Sequence, residues 1–118
     1  MKRIFKYFII TLIMGIFSTK INAAYDKIAY DFSFNDLDGS AVQLSEYKDK
    51  VIVVVNVASR CGFTKQYEDM QRIWEQYQKK GIVIIGVPSN DFGNQEPGTN
   101  QDIKNFCQAK FGITFPMT

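Results

Sequence analysis

An α/β fold is predicted by three stretches of the sequence taken together. Two are nearly continuous apolar runs, VIVVVNVA at 51–58 and IVIIGVP at 82–88, the composition expected of parallel strands buried on both faces. The third lies between them. From Thr64 onward, Tyr67, Met70, Ile73, Trp74 and Tyr77 recur at helical spacing, and Gly81 supplies a stop. Strand, helix and strand of these lengths make a right-handed βαβ unit.

The remaining elements follow in chain order. Residues 1–23 have a basic start (Lys2, Arg3, Lys6), an apolar stretch from Phe8 to Phe17 and small residues at Ala23 and Ala24, the layout of a secretory signal peptide. An uncleaved anchor is the competing reading, but an apolar stretch of ten residues is short against the roughly 20 a spanning helix needs. Cleavage near Ala23 with no stable membrane anchor afterwards is therefore expected, with a periplasmic or secreted location. The single domain is then 24–118. Within it, FSFNDLDGSAVQLS reads as a β-hairpin turning at Asp38-Gly39, with Val42 and Leu44 alternating along its second strand. After the βαβ unit comes the polar loop SNDFGNQEPGTN. Thr99 and Asp102 then open a second helix that carries Ile103, Phe106 and Cys107 inward and ends near Gly112. The last residues, ITFPMT, read as the approach to another strand.

Composition removes several function classes. Four of the 14 basic residues and none of the 12 acidic ones fall in 1–23, so the mature chain carries a net charge of about −2 and offers no footprint for nucleic acid. The chain has no histidine, which excludes His-based general base catalysis, Ser-His triads and His metal sites. Cys61 and Cys107 lie too far apart for a Cys-x-x-Cys redox pair or a zinc knuckle. No metal or cofactor is expected. A structural disulfide and thiol redox chemistry both stay open.

Position bears on Cys61. It follows a parallel strand and precedes a helix, at the sheet edge where ligands and reactive groups collect in α/β folds. Backbone amides and the positive end of a helix dipole there favour thiolate, and Arg60 adds to this if its side chain turns inward. A buried cysteine acting as a small hydrophobe is the plainer alternative.

VNVASRCGFTKQYEDM and GVPSNDFGNQEPG resemble the two signature segments of the glutathione peroxidase family. DFSFNDLDGSAVQLSEYKDKVIVVVNVAS and IKNFCQAKFGITFPM resemble its N-terminal hairpin and second helix. The resemblance runs from Tyr30 to Met117 and implies a thioredoxin-like fold that uses a thiol to reduce hydrogen peroxide or organic hydroperoxides. Cys61 matches the peroxidatic residue, Gln95 the glutamine whose amide lies beside it, and Cys107 the resolving cysteine of the thioredoxin-dependent branch. On that reading Cys61 becomes a sulfenic acid, condenses with Cys107, and the disulfide is reduced by a thioredoxin-like protein or glutathione. The second helix then has to unwind locally, because a disulfide tolerates only about 4.4–6.8 Å between Cα atoms.

Departures from the family pattern are three. Ser89 replaces a frequent cysteine and Asp91 a usual glutamine. The family's closing segment, with a Trp-Asn pair beside the thiol, has no counterpart before Thr118, and Trp74 lies at core spacing. The expectation is a C-terminally incomplete fold lacking its last strands and helix, with one sheet edge open and poor peroxidase activity. An inactive fragment or a non-catalytic, disulfide-stapled thioredoxin-like module is the alternative function.

Overall fold

The computed structural model describes residues 26–118, so the expected signal peptide lies outside the described residues. The hairpin is present: β1 (Ser33–Asn35) and β2 (Ala41–Gln43) pair antiparallel, with Phe34 opposite Val42. Its turn is organised by Asp36, whose carboxylate accepts from the amides of Asp38 at 2.9 Å and Ser40 at 2.7 Å, an Asx-type arrangement. Leu44 differs from expectation. Instead of extending β2 it begins a 3-10 turn, Leu44–Tyr47, which swings its side chain into the core.

The βαβ unit follows as β3 (Val51–Val57), α1 (Gln66–Tyr77) and β4 (Ile82–Pro88). β3 and β4 are parallel, in register from Val51 opposite Ile82 to Val57 opposite Pro88. α1 closes through a 3-10 turn, Gln78–Lys80, and Gly81 at φ +94°. α2 (Asn100–Phe111) carries the predicted capping box. The Asp102 amide donates to the Thr99 hydroxyl oxygen, and the Asp102 carboxylate accepts from the Thr99 amide at 3.0 Å.

Residues 113–118 then return across the sheet and form a parallel bridge at Met117. The Gly86 amide donates to the Pro116 carbonyl and the Thr118 amide to the Gly86 carbonyl, both at 2.9 Å. A Cβ on Gly86 would meet carbons of Phe115 and Met117 at 3.2 and 3.3 Å. The missing side chain is what lets this segment cross so closely. β4 is thereby flanked on both edges.

Burial separates the two apolar runs. β4 behaves as predicted: Val83 and Ile85 join Leu44 in one cluster, while Ile84 joins Val57, Tyr67, Ile103, Cys107, Ile113, Phe115 and Met117 in the other. β3 corrects the expectation of burial on both faces, because Val51 is 62% exposed, Val53 39% and Val54 60%. Among the described residues it pairs with β4 alone. Among the described residues nothing covers Val51, Val53 and Val54, and only Ile52, Val55 and Val57 of this strand's apolar side chains reach the core. No helix among the described residues is long and apolar enough to cross a membrane.

An exposed apolar edge strand is a template for pairing with other chains, and a charge on it blunts that tendency. Val54→Lys is expected to lower concentration-dependent light scattering while changing unfolding free energy by no more than about 0.5 kcal/mol. Scattering equal to the wild type would show that this edge does not drive association.

Candidate active site

Parallel pairing sets the C-terminal ends of β3 and β4 side by side, and the loops that leave them are tied together. The Arg60 amide donates to the Gln95 carbonyl at 3.0 Å. The Ser59 amide and hydroxyl both donate to one carboxylate oxygen of Glu96, at 2.7 and 3.1 Å. Glu96 is 5% exposed, and its own amide donates to the Asn90 side-chain oxygen at 2.9 Å. Gly93 and Asn94 are consecutive residues at positive φ, +72° and +54°. They bend the loop back toward β3, and only glycine takes the first of these conformations without a steric penalty.

Cys61 occupies the turn between β3 and α1. The Phe63 amide donates to its sulfur at 3.5 Å, and the Thr64 amide donates to its carbonyl at 3.2 Å. The Thr64 hydroxyl lies 2.8 Å from the Ala58 carbonyl and 2.7 Å from that of Cys61. Having one proton, it donates to one of them at a time. When it donates to Ala58, this buried hydroxyl ties the end of β3 to the approach to α1. A run of i→i+3 bonds, including Gln66 amide to Phe63 carbonyl at 2.9 Å, leads into α1. The helix thus begins at Gln66 rather than near Thr64, and Cys61 stands more than a turn ahead of it. Arg60 is exposed and contributes its backbone to the tie.

Cys61 and Gln95 line one cavity of about 100 Å³, together with Asn56, Phe63, Tyr67, Met70 and Phe92. Cys107 is elsewhere. It is 1% exposed on α2 and lines a separate cavity of about 330 Å³ beside Asp36, Lys104, Phe115 and Met117. Both thiols are free. The structure therefore brings two of the three predicted residues together and leaves the third within the core. Ser89 accepts from the Asp91 amide at 3.2 Å, a local turn contact.

Burial first, and the negative charge of Glu96 second, push the Cys107 thiol up to about 11. The Tyr67 phenol is raised for the same leading reason, with Cys107 and Glu96 adding to it. Glu96, Thr64 and Tyr67 were not singled out for the site by the sequence. A carboxylate in a Gly-rich loop reads as solvated, and Tyr67 reads as core. Only the adjacency of Glu96 to Gln95 hinted otherwise.

A parallel βαβ scaffold that holds a half-buried cysteine and a glutamine at its C-terminal edge defines a thioredoxin-like fold with a thiol site. The family model for glutathione peroxidase matches residues 29–118, and the chain belongs to that family. It is 44% identical over 97 residues to the hydroperoxy fatty acid reductase gpx1 of Synechocystis sp., covering 82% of this chain and 57% of that protein. The crystal structure of T. cruzi GPX1 superposes with a TM-score of 0.56 at 30% identity, over 78% of this chain and 54% of that one. A thioredoxin family thiol:disulfide interchange protein from Chlorobium tepidum TLS shares the fold, with a TM-score of 0.61 at 22% identity over 74% and 55% of the two chains. The chain spans about half the length of the curated relatives it matches.

Two outcomes test this geometry. Glu96→Ala strands the Ser59 donors, so unfolding free energy measured in urea is expected to fall by about 1–3 kcal/mol. Glu96→Gln, whose carbonyl still accepts, is expected to recover part of the loss. The raised Cys107 value also gives a pH dependence. The native state holds that proton more tightly than the unfolded chain, whose thiol keeps the ordinary 9.0. The associated stability is intact below that value and lost as pH rises toward about 11. Urea midpoints across this window are expected to drop more steeply for the wild type than for Cys107→Ala.

Proposed function

We propose that this chain is a thiol peroxidase in which Cys61 reduces a hydroperoxide, Gln95 assists and Cys107 resolves. The observation that carries the reading is the shared pocket, in which Cys61 and Gln95 are pinned by the bonds from Arg60 and Ser59. In the first step the Cys61 thiolate attacks a peroxide oxygen. An S–O bond forms, the O–O bond breaks, and the departing alkoxide or hydroxide takes a proton. Gln95 is placed to donate a hydrogen bond to the charge that moves through this step. In the second step the Cys107 sulfur attacks Cys61, forming a disulfide and releasing water. A dithiol protein of the thioredoxin type, or glutathione, returns both sulfurs to thiols.

The pocket rim suggests the substrate. Phe63 and Phe92 are 72% and 64% exposed beside Cys61, an apolar approach suited to a hydroperoxide with a hydrocarbon tail. The Synechocystis relative is named for hydroperoxy fatty acids, which supports the same class. Residues 1–23 support export, with reaction in the periplasm or outside the cell.

Peroxide consumption in the presence of a thioredoxin system, with intact mass read alongside, tests the proposal. Cys61→Ser is expected to lose consumption to background. Cys107→Ser is expected to accept one oxygen at Cys61, fail to recycle and progress to the sulfinic acid. Consumption that survives in Cys61→Ser would overturn the reading, and a mature mass beginning elsewhere than near Ala24 would remove the export proposal.

A further inference from the structure

Tyr67 belongs to the surroundings of both thiols. It lies on the first turn of α1, is 5% exposed, and lines the pocket that holds Cys61 and Gln95. It also belongs to the core cluster that contains Cys107. Its ring meets Phe111 edge-on at 5.3 Å, and Phe111 meets Phe106 at 5.7 Å. Both phenylalanines are on α2 and flank Cys107 in sequence. The aromatic run therefore joins the Cys61 pocket to the helix that must yield Cys107.

The hydroxyl of Tyr67 is fully buried; the Ala58 backbone lies close enough to its oxygen to temper the raised phenol value, but among the described residues no group makes a well-formed hydrogen bond with it. Phenylalanine would fill the ring's space without leaving a buried donor unsatisfied, and such a donor is destabilising and rare enough to call for a cause. A group that acquires a partner in another state of the protein supplies that cause.

Building on the peroxidase reading above, we propose that Tyr67 is a positioning residue for the resolving step, its phenol donating a hydrogen bond to the oxygen that Cys61 acquires from peroxide. That bond holds the sulfenic acid with its sulfur turned toward α2. When Cys107 arrives, the S–S bond forms, the Cys61 S–O bond breaks, and the hydroxyl leaves as water with the Cys107 thiol proton. Tyr67 keeps its own proton throughout, as its raised value favours. Without this hydrogen bond the sulfenic acid waits less well oriented, and a second peroxide competes better for it.

The test compares wild type and Tyr67→Phe as full chains. Each is oxidised with hydrogen peroxide at increasing excess, and mass spectrometry counts disulfide against Cys61 sulfinic acid; thermal melting is recorded in parallel. The expected result is an about tenfold rise in the ratio of sulfinic acid to disulfide for Tyr67→Phe, the worth of one hydrogen bond, at an equal or higher Tm. An unchanged ratio would overturn the assignment while leaving the peroxidase reading intact, as a hydroxyl serving only a buried water would give. A changed ratio with a lowered Tm would make the role one of packing and would also overturn it. A wild type whose Cys61 gains no oxygen would remove the peroxidase reading, and Tyr67's assignment with it.

Discussion

The buried Glu96 carboxylate is the constraint on which the site depends. Parallel pairing brings the ends of β3 and β4 to one edge, but pairing stops at Val57 and Pro88, and loops beyond it are free to part. Glu96 prevents this by accepting both the amide and the hydroxyl of Ser59, and the Arg60–Gln95 backbone bond sits beside it. Hydrogen bonds to a charged group are worth on the order of 2 kcal/mol each, a sizeable share of the roughly 5–15 kcal/mol that holds a domain folded. The position of Gln95 relative to Cys61 is thus fixed by ties within two residues of each. The site tolerates exposed aromatic groups at its rim because its floor is secured by backbone and carboxylate bonds as well as by apolar packing.

The same carboxylate also bears on the buried thiol. Burial first, and the charge of Glu96 second, hold the Cys107 sulfur in its protonated form. Cys61, half-buried in its own cavity, receives a backbone amide instead. A buried thiol and an accessible one on a single scaffold differ in which meets a soluble oxidant first. Under the proposed chemistry the order of events is written into burial. What must move is α2, closed by a capping box at one end and by Gly112 at the other, so exposing Cys107 has to disturb its interior packing or its last turn.

Much of the fold was legible because its elements are signalled locally. The capping box at Thr99 and Asp102, the stops at Gly81 and Gly112, and the helical spacing from Tyr67 to Tyr77 all depend on residues within a few positions of each other. Burial was legible only in part. VIVVVNV and IVIIGVP have nearly the same composition, yet β4 is enclosed and β3 is half exposed, because enclosure depends on neighbours that composition does not name. Leu44 shows the same limit: a continuing apolar alternation could not reveal that the chain turns into a 3-10 helix there. Within the site, Cys61 stood out by its place between a parallel strand and a helix, and Gln95 through the resemblance of its segment to a known family. Glu96 did not, since whether a carboxylate is solvated or buried is decided by Ser59, 37 positions away.

β3 and β4 also explain why the site can sit beside an exposed strand without losing its geometry. The exposed valines lie toward the start of β3, while Val57 at its far end is 1% exposed and packed with Ile84, Phe115 and Met117. The strand is therefore most deeply buried at the end nearer Cys61. The segment 113–118 reinforces that end, since Gly86 lets Phe115 and Met117 approach the sheet at the level of Val55. Local stability in proteins follows such differences in packing, so fluctuations of the open edge are concentrated away from the loops that hold the thiol. The reactive end of the sheet is the end that the buried clusters and the Glu96 tie hold most firmly.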